Sequence, residues 1–116
     1  MNWSMNLTEI KTEQIDHLRV MQKVEMCHSQ KELADEVGFS VGKVNYIMKA
    51  LLQKGFIKAE NFVKSPNKRA YKYILTSEGL KTKILLTEKY IAIKKQEYEK
   101  LQESLYLDKQ RSDTDV

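Results

Sequence analysis

The sequence of 116 residues predicts a mainly α-helical fold that contains one small β-hairpin and ends in a long helix. Three observations lead to this prediction. Two short amphipathic segments meet at Gly38, two segments rich in β-branched and aromatic residues flank Pro66, and neither proline nor glycine occurs after Gly79. Helical periodicity followed by strand-like composition predicts one small domain, to which the last third of the chain is appended.

The acidic first third of the chain predicts a helix from about Thr8 or Thr12 to Met26. Apolar side chains recur there at spacings of three residues, which keeps them on one face of the helix. The residues of this face are Ile15, Leu18, Met21 and Val24. Because only one face is apolar, we expect the helix to pack on a core along that side.

A second, shorter helix is expected to begin at Ser29. Ser29 and Glu32 have the S-x-x-E spacing of a capping box, in which side chains satisfy free amides at the helix start. Gly38 is expected to end this helix because glycine tolerates the left-handed conformation. Only Gly38 and Phe39 separate it from Ser40, the predicted N-cap of a third helix. Two short helices joined by such a turn predict a helix-turn-helix.

The third helix, predicted at about residues 40–54, has two different faces. Val44, Ile47 and Leu51 recur at i, i+3 and i+7 and predict a buried stripe. The residues near the start of a recognition helix are the ones that reach base edges in the DNA major groove. The candidate DNA-binding residues of this helix are Ser40, Val41, Gly42, Lys43, Asn45, Tyr46 and Lys49.

These residue types suit DNA recognition. Lys43 and Lys49 can bind phosphates or guanine edges, and Asn45 can pair with adenine through two hydrogen bonds. Gly42 costs about 1 kcal/mol of helix stability relative to alanine, so we expect a reason for its small size. The alternative for each residue is that it belongs to the solvated side of the helix.

Residues 56–64 and 70–75 predict the two strands of a hairpin, with Pro66 in the connecting turn. Basic residues cluster near its tip, where they can contact phosphates or the minor groove. The candidate DNA-binding residues of the hairpin are Lys64, Asn67, Lys68, Arg69 and Lys72. Three helices followed by such a hairpin predict a winged helix-turn-helix, which we assign to residues 8–75.

The net charge of +4 is distributed unevenly along the chain. Residues 1–37 contain four basic and seven acidic side chains, residues 38–75 contain eight basic and one acidic, and residues 76–116 contain eight of each. The net charge of +7 in the middle segment indicates a polyanionic partner. The alternative is a basic surface that is merely solvated.

The chain resembles MarR-type transcriptional regulators over roughly residues 13–107, and most of all the subgroup named EPS-associated MarR-family regulators. The matching segments are Ser29-Gln30, Glu32-Leu33-Ala34, Gly42-Lys43-Val44-Asn45-Tyr46, Lys54-Gly55, and Leu75-Thr76 with Gly79. The resemblance implies sequence-specific binding of duplex DNA by a homodimer. MarR-type proteins usually have further helices at both ends, which form the dimer interface and an effector pocket. This chain is short at its N-terminus and is expected to have one long helix at its C-terminus, so an effector of the phenolic kind is not implied.

The long helix is expected to begin after Thr76 and to reach about Leu107, a length of about 31 residues or 46 Å. It is therefore longer than a 75-residue domain, which is about 30 Å across. Seven positions alternate spacings of three and four residues, as in a coiled-coil seam. These candidate dimerisation residues are Ile84, Thr87, Ile91, Lys94, Tyr98, Leu101 and Leu105.

We expect residues 76–107 to join two copies of the chain, in either a parallel or an antiparallel pair. The alternative is a helix that folds back on its own domain. The polar tail, residues 108–116, is expected to be disordered.

Other features limit the function further. A single cysteine, Cys27, excludes an intramolecular disulfide and favours a reducing cytoplasm. We interpret Cys27 as a small apolar filler, with a redox switch as the alternative, and its spacing from His17 and His28 fits no zinc site. No nucleophile–base pair or phosphate-binding loop is present, so we expect neither an enzyme nor a cofactor. No segment has the pattern of a signal peptide or membrane span.

Together these patterns predict a homodimeric regulator that binds double-stranded DNA. The alternative is a winged-helix module that binds another protein and docks through its coiled coil. Double-stranded RNA is a weaker third hypothesis because an A-form major groove does not admit a recognition helix. The operator, the regulated genes and any effector stay open.

Overall fold

The computed structural model describes residues 10–65 and 68–114, with side chains described outside residues 61–71. Three helices, a two-stranded sheet and a long helix follow one another along the chain. They are α1 (Thr12–Lys23), α2 (Gln30–Val37), α3 (Val41–Gln53), β1 (Ile57–Ser65), β2 (Lys68–Leu75) and α4 (Ser77–Thr114). The predicted class, mainly α with one hairpin and a long C-terminal helix, is confirmed.

Helix α1 begins at the later of the two predicted starts and ends earlier than predicted. Of those two, Thr8 lies outside the described residues. The helix ends at Lys23, and the amide of Met26 donates to the Lys23 carbonyl at 3.1 Å in a turn that follows the helix. Its predicted face is buried, except that Ile15 is only half-buried.

Side-chain caps define the helix-turn-helix. The Ser29 hydroxyl accepts a hydrogen bond from the Glu32 amide at 3.0 Å, and the Ser40 hydroxyl accepts one from the Lys43 amide at 3.1 Å. The Glu32 carboxylate accepts from the amide of His28 at 3.0 Å, one residue earlier than in a standard capping box. Gly38 has φ 77°, the left-handed conformation that the turn requires.

The core lies between the first three helices, and among the described side chains Ile57 of β1 and Leu86 of α4 complete it, with Tyr73, Leu75 and Tyr90 packed against it. The predicted stripe of α3, Val44, Ile47 and Leu51, is buried, with exposures of 0–2%. The other large buried side chains of the core are Leu18, Val20, Met21, Val24, Leu33, Val37, Met48, Ile57 and Leu86. This packing fixes the orientation of α3, and hence which of its residues face outward.

Strands β1 and β2 form the predicted antiparallel hairpin. Ile57 lies opposite Leu75, and the register continues to Val63 opposite Arg69, with an irregularity between Val63 and Ser65. Residues 66 and 67, the predicted turn, lie outside the described residues. The hairpin therefore projects from the end of α3 and returns to the start of α4.

Hydrogen bonds connect the start of α4 to the segment that follows α3. The amide of Thr76 donates to the carbonyl of Phe56 at 3.0 Å, and its hydroxyl donates to the carbonyl of Gly55 at 2.5 Å. The same hydroxyl accepts from the amide of Gly79 at 3.0 Å and so caps the helix. A Cβ added to Gly79 would overlap the backbone carbonyl of Phe56. Gly79 is therefore needed for close contact between two backbones.

Helix α4 extends well beyond the winged domain. Its 38 residues span about 57 Å at 1.5 Å per residue. The radius of gyration is 19.7 Å, whereas a compact chain of this length has about 13 Å. Within the part of the chain described, no helix combines the length and the apolar character that a membrane span requires.

The expectation of a disordered tail was wrong for residues 108–114, which continue α4 as far as Thr114. The segment is polar, but it contains no proline or glycine to end a helix. The Gln110 side chain donates to the hydroxyl of Tyr106 at 2.6 Å, four residues earlier, which supports the helix there.

Candidate DNA-binding surface

The outward face of α3 contains the residues predicted for it. Tyr46 is 69% exposed and Val41 is 47% exposed. Lys49 is also exposed, and Asn45, which lies between the two faces, is half-buried. Ser40 is exposed too, but its hydroxyl already caps the helix. Tyr46 and Lys49 thus lie on the accessible side of the helix, and Asn45 lies at the edge of that side.

Gly42 lies on the same side and is not required by packing. An alanine Cβ at this position would meet no atom of the described residues within 4 Å. The small size of Gly42 therefore has no explanation inside the described part of the chain, in contrast to Gly79.

We expect Gly42→Ala to raise the free energy of unfolding by about 0.5–1 kcal/mol because alanine is the better helix former. If the backbone of Gly42 approaches a DNA groove closely, the same variant will bind DNA more weakly than the natural protein. Urea unfolding and fluorescence anisotropy measure the two effects separately. Increased stability with unchanged affinity would show that this turn does not contact DNA closely.

Lys43 is also exposed, but its ammonium is bound to another part of the domain. Its Nζ lies 3.0 Å from Oδ2 of Asp16 in α1, and the side chain of Lys43 is 45% exposed. The same Nζ lies 4.1 Å from the centre of the Phe39 ring. Arg19 also lies over the Phe39 ring, with its Cζ 5.6 Å from the ring centre. We call Asp16, Arg19, Phe39 and Lys43 the Lys43 cluster.

The sequence did not reveal the partners of Lys43. Periodicity places residues on a face of their own helix, whereas the contact between Asp16 and Lys43 joins two residues of different helices that are 27 positions apart in sequence. The one sequence feature that relates to this contact was an acidic residue, Asp16, beside the apolar face of α1. That signal does not identify a partner.

The hairpin brings four of its five candidate residues into the described strands. Lys64 and Lys68 lie at the ends of β1 and β2 next to the turn, and Arg69 lies opposite Val63. Lys72 is half-buried and pairs in register with Glu60. The fifth candidate, Asn67, lies outside the described residues.

Cys27 has the properties of a buried thiol. Burial, and the carboxylates of Glu32 and Glu36, raise its pKa, so the reactive thiolate is disfavoured. Cys27 and Tyr73 line a cavity of about 30 Å³, well below the roughly 300–1,000 Å³ of a small-molecule site. Both observations favour the interpretation of Cys27 as an apolar filler.

Comparison with known proteins agrees with this geometry. The family model for winged helix-turn-helix DNA-binding domains matches residues 27–58, which include α2 and α3. No curated protein matches the chain. The solved structure of a MarR/EmrR family transcriptional regulator from Acinetobacter sp. ADP1 is 26% identical, with a TM-score of 0.59, and the match covers 91% of this chain and 77% of that one.

The chain has the winged helix-turn-helix fold of MarR-type regulators. Two further MarR-type structures have the same fold. PcaV from Streptomyces coelicolor, in complex with its natural ligand, is 18% identical with a TM-score of 0.58, over 93% of this chain and 77% of that chain. A MepR variant from S. aureus bound to an oligodeoxyribonucleotide is 19% identical with a TM-score of 0.56, over 90% and 79%. The predicted resemblance to MarR-type regulators is confirmed, while the EPS-associated subgroup stays a prediction.

Proposed function

We propose that this chain is a transcriptional regulator of the MarR type, which binds specific sequences of duplex DNA as a homodimer. The observation that supports this most is the outward face of α3. Tyr46 and Lys49 lie on the accessible side of a helix whose other side is fixed in the core, and Asn45 lies at the edge of that accessible side. In this fold, that helix is the one that enters the major groove.

The chemistry of the surface suits its proposed ligand. Asn45 offers an amide that can pair with adenine, and Lys49 offers an ammonium for a phosphate or a guanine edge. The net charge of +7 in residues 38–75 provides attraction to the phosphate backbone that does not depend on sequence. The basic residues of the hairpin, Lys64, Lys68, Arg69 and Lys72, add affinity rather than specificity.

The proposed partner of α4 is a second copy of the chain. The apolar residues of the predicted seam lie on the side of α4 that the domain leaves uncovered, whereas Leu86 and Lys89 face inward and Thr87 is half-buried. The exposures of its apolar residues are Ile84 50%, Ile91 59%, Tyr98 61%, Leu101 69% and Leu105 55%. A row of this size on a helix that extends beyond its domain favours burial against another helix.

The two polar positions of the seam are compatible with such an interface. The hydroxyl of Thr87 donates to the carbonyl of Lys83 at 2.7 Å, so its hydrogen bond is made within the helix. The ammonium of Lys94 donates to the Glu97 carboxylate at 3.2 Å, which raises the pKa of Lys94. Both side chains therefore present carbon atoms to the seam while their polar groups are satisfied.

The charge of α4 supports a second copy in an antiparallel orientation. Residues 77–95 contain five basic and two acidic side chains, a net charge of +3, and residues 96–114 contain three basic and five acidic, a net charge of −2. An antiparallel pair places each positive half beside a negative half, whereas a parallel pair places like charges together. Two winged domains joined in this way would bind half-sites about 34 Å, or one duplex turn, apart.

The readout by α3 is tested with Asn45→Ala. We expect the variant to lose its preference at one base position, which corresponds to about 1–3 kcal/mol of discrimination. Selection of bound sequences from a random duplex library, followed by anisotropy on single-base variants of the selected site, measures this loss.

Gln53→Ala is the matched control because it removes an exposed amide from the other end of α3. It should leave base preference unchanged. If Asn45→Ala selects the same sequences as the natural protein, Asn45 is not the reading residue. If the natural protein selects no sequence and binds no duplex, the alternative of a protein-binding module replaces the proposal.

A further inference from the structure

We propose that Asp16 competes with DNA for Lys43, so that it sets the affinity of the protein for every duplex. This inference rests on the proposed DNA binding and concerns the same surface. In the free protein the Lys43 ammonium is bound to the Asp16 carboxylate; in the complex it binds a DNA phosphate instead. Asp16 therefore acts as an internal substitute for the phosphate.

The geometry of the Lys43 cluster supports an exchange of partners. Lys43 lies in the first turn of α3, the part of a recognition helix that lies closest to DNA. Its ammonium is bound at 3.0 Å to Asp16, and the face of the Phe39 ring lies on another side of it. The side chain of Lys43 is 45% exposed, whereas that of Asp16 is only 18% exposed. The lysine can therefore reach an external anion, and the aspartate is kept inside the domain.

A second cation, Arg19, lowers the free energy required for Lys43 to leave Asp16. An uncompensated carboxylate close to DNA would oppose binding, so Asp16 needs another partner when Lys43 leaves. Arg19 is three residues further along α1, on the same side of the helix, and already lies over the Phe39 ring. We therefore infer that Arg19 takes over the neutralisation of Asp16 in the complex. Phe39 keeps both cations close to their positions in either state.

The size of the effect follows from the exposure of the pair. The Lys43 side of the pair is open to solvent while Asp16 is mostly covered, and ion pairs near the surface change an equilibrium constant by up to about fivefold. Because binding to any duplex requires the pair to open, removal of the carboxylate should raise affinity for operator and scrambled DNA alike. Asp16 thus tunes affinity and leaves base preference to other residues of α3.

The test is a double-mutant cycle of Asp16→Asn and Lys43→Gln in the full chain. Anisotropy on the selected site and on a scrambled duplex should show that Asp16→Asn binds both duplexes about two- to fivefold more tightly than the natural protein. In the Lys43→Gln background the same change should have no effect, because Asp16 acts only through Lys43. Glu25→Gln, which removes an exposed carboxylate from the loop after α1, is the control for a general loss of negative charge.

Urea unfolding of the same four proteins without DNA provides a second measurement. The free energies of unfolding should show that the effects of the Asp16 and Lys43 substitutions are not additive in the free protein. Weaker or unchanged binding by Asp16→Asn would overturn the proposal, as would an equal gain in the Lys43→Gln background or in Glu25→Gln. If none of the proteins binds any duplex, the proposed function and the competition fail together. If the natural protein binds but Asp16→Asn gives no gain, only the competition fails.

Discussion

Replacing Leu101 and Leu105 together by glutamate is expected to turn the protein into a monomer. It should lower affinity for a duplex with two half-sites by about 100-fold or more, because the second half-site is then no longer bound intramolecularly. The two side chains are 69% and 55% exposed and take no part in the core, so the winged domain itself should unfold at the same urea concentration. Sedimentation velocity and anisotropy on the two-half-site duplex measure the two effects.

The matched control is Gln96→Glu with Gln110→Glu, in which the carboxylate at position 110 can accept a hydrogen bond from the Tyr106 hydroxyl in place of the one that Gln110 donates. At about 3.6 residues per turn, these positions lie on the opposite face of α4, and they add the same two negative charges. The control should remain dimeric and should bind DNA with at most a modest loss from charge repulsion. A monomeric natural protein would contradict the proposed dimer, and so would a Leu101→Glu, Leu105→Glu protein that sediments like its parent.

The second large effect is expected at the start of α4. Gly79→Ala should lower the free energy of unfolding by about 3 kcal/mol, the upper part of the range for an overpacked site. The reason is that its Cβ meets the backbone of Phe56, which cannot move like a flexible side chain. Displacement of this backbone would also strain the hydrogen bonds of Thr76 with Gly55 and Phe56. Urea unfolding followed by circular dichroism measures the loss.

Gly42→Ala is the control for this prediction, because it makes the same substitution in the first turn of another helix. Its Cβ enters open space, so the sign of its effect on stability should be opposite. A Gly79→Ala protein as stable as the natural one would show that α4 can shift away from Phe56 at little cost. The contact between the start of α4 and the segment after α3 would then contribute little to the free energy of unfolding.

Local signals in the sequence predicted most of the helix-turn-helix. The hydroxyls of Ser29 and Ser40 accept from amides three residues further on, and Gly38 adopts the left-handed conformation that ends α2. These effects act within a few residues, so the pattern determines the helix ends without reference to the rest of the fold. The buried stripe of α3 was predictable for a similar reason, since helical periodicity alone places its members on one side.

Contacts between distant segments were not predictable in this way. The role of Gly79 depends on the Phe56 carbonyl, and the position of the Lys43 ammonium depends on Asp16 in another helix. The polar end of α4 was misassigned as a tail for a different reason. Polarity indicates that a segment lacks a core, but residues 108–114 form a helix because nothing there ends it.

The most direct test of the account is fluorescence anisotropy of the purified protein on duplex DNA from upstream of its own gene. A scrambled duplex of equal length is the control, and both are measured at several salt concentrations. We predict tight binding to the upstream duplex, weaker binding to the scrambled one, and affinities that fall steeply as salt rises. Absence of binding to either duplex at low salt would contradict the central claim that the outward face of α3 binds DNA.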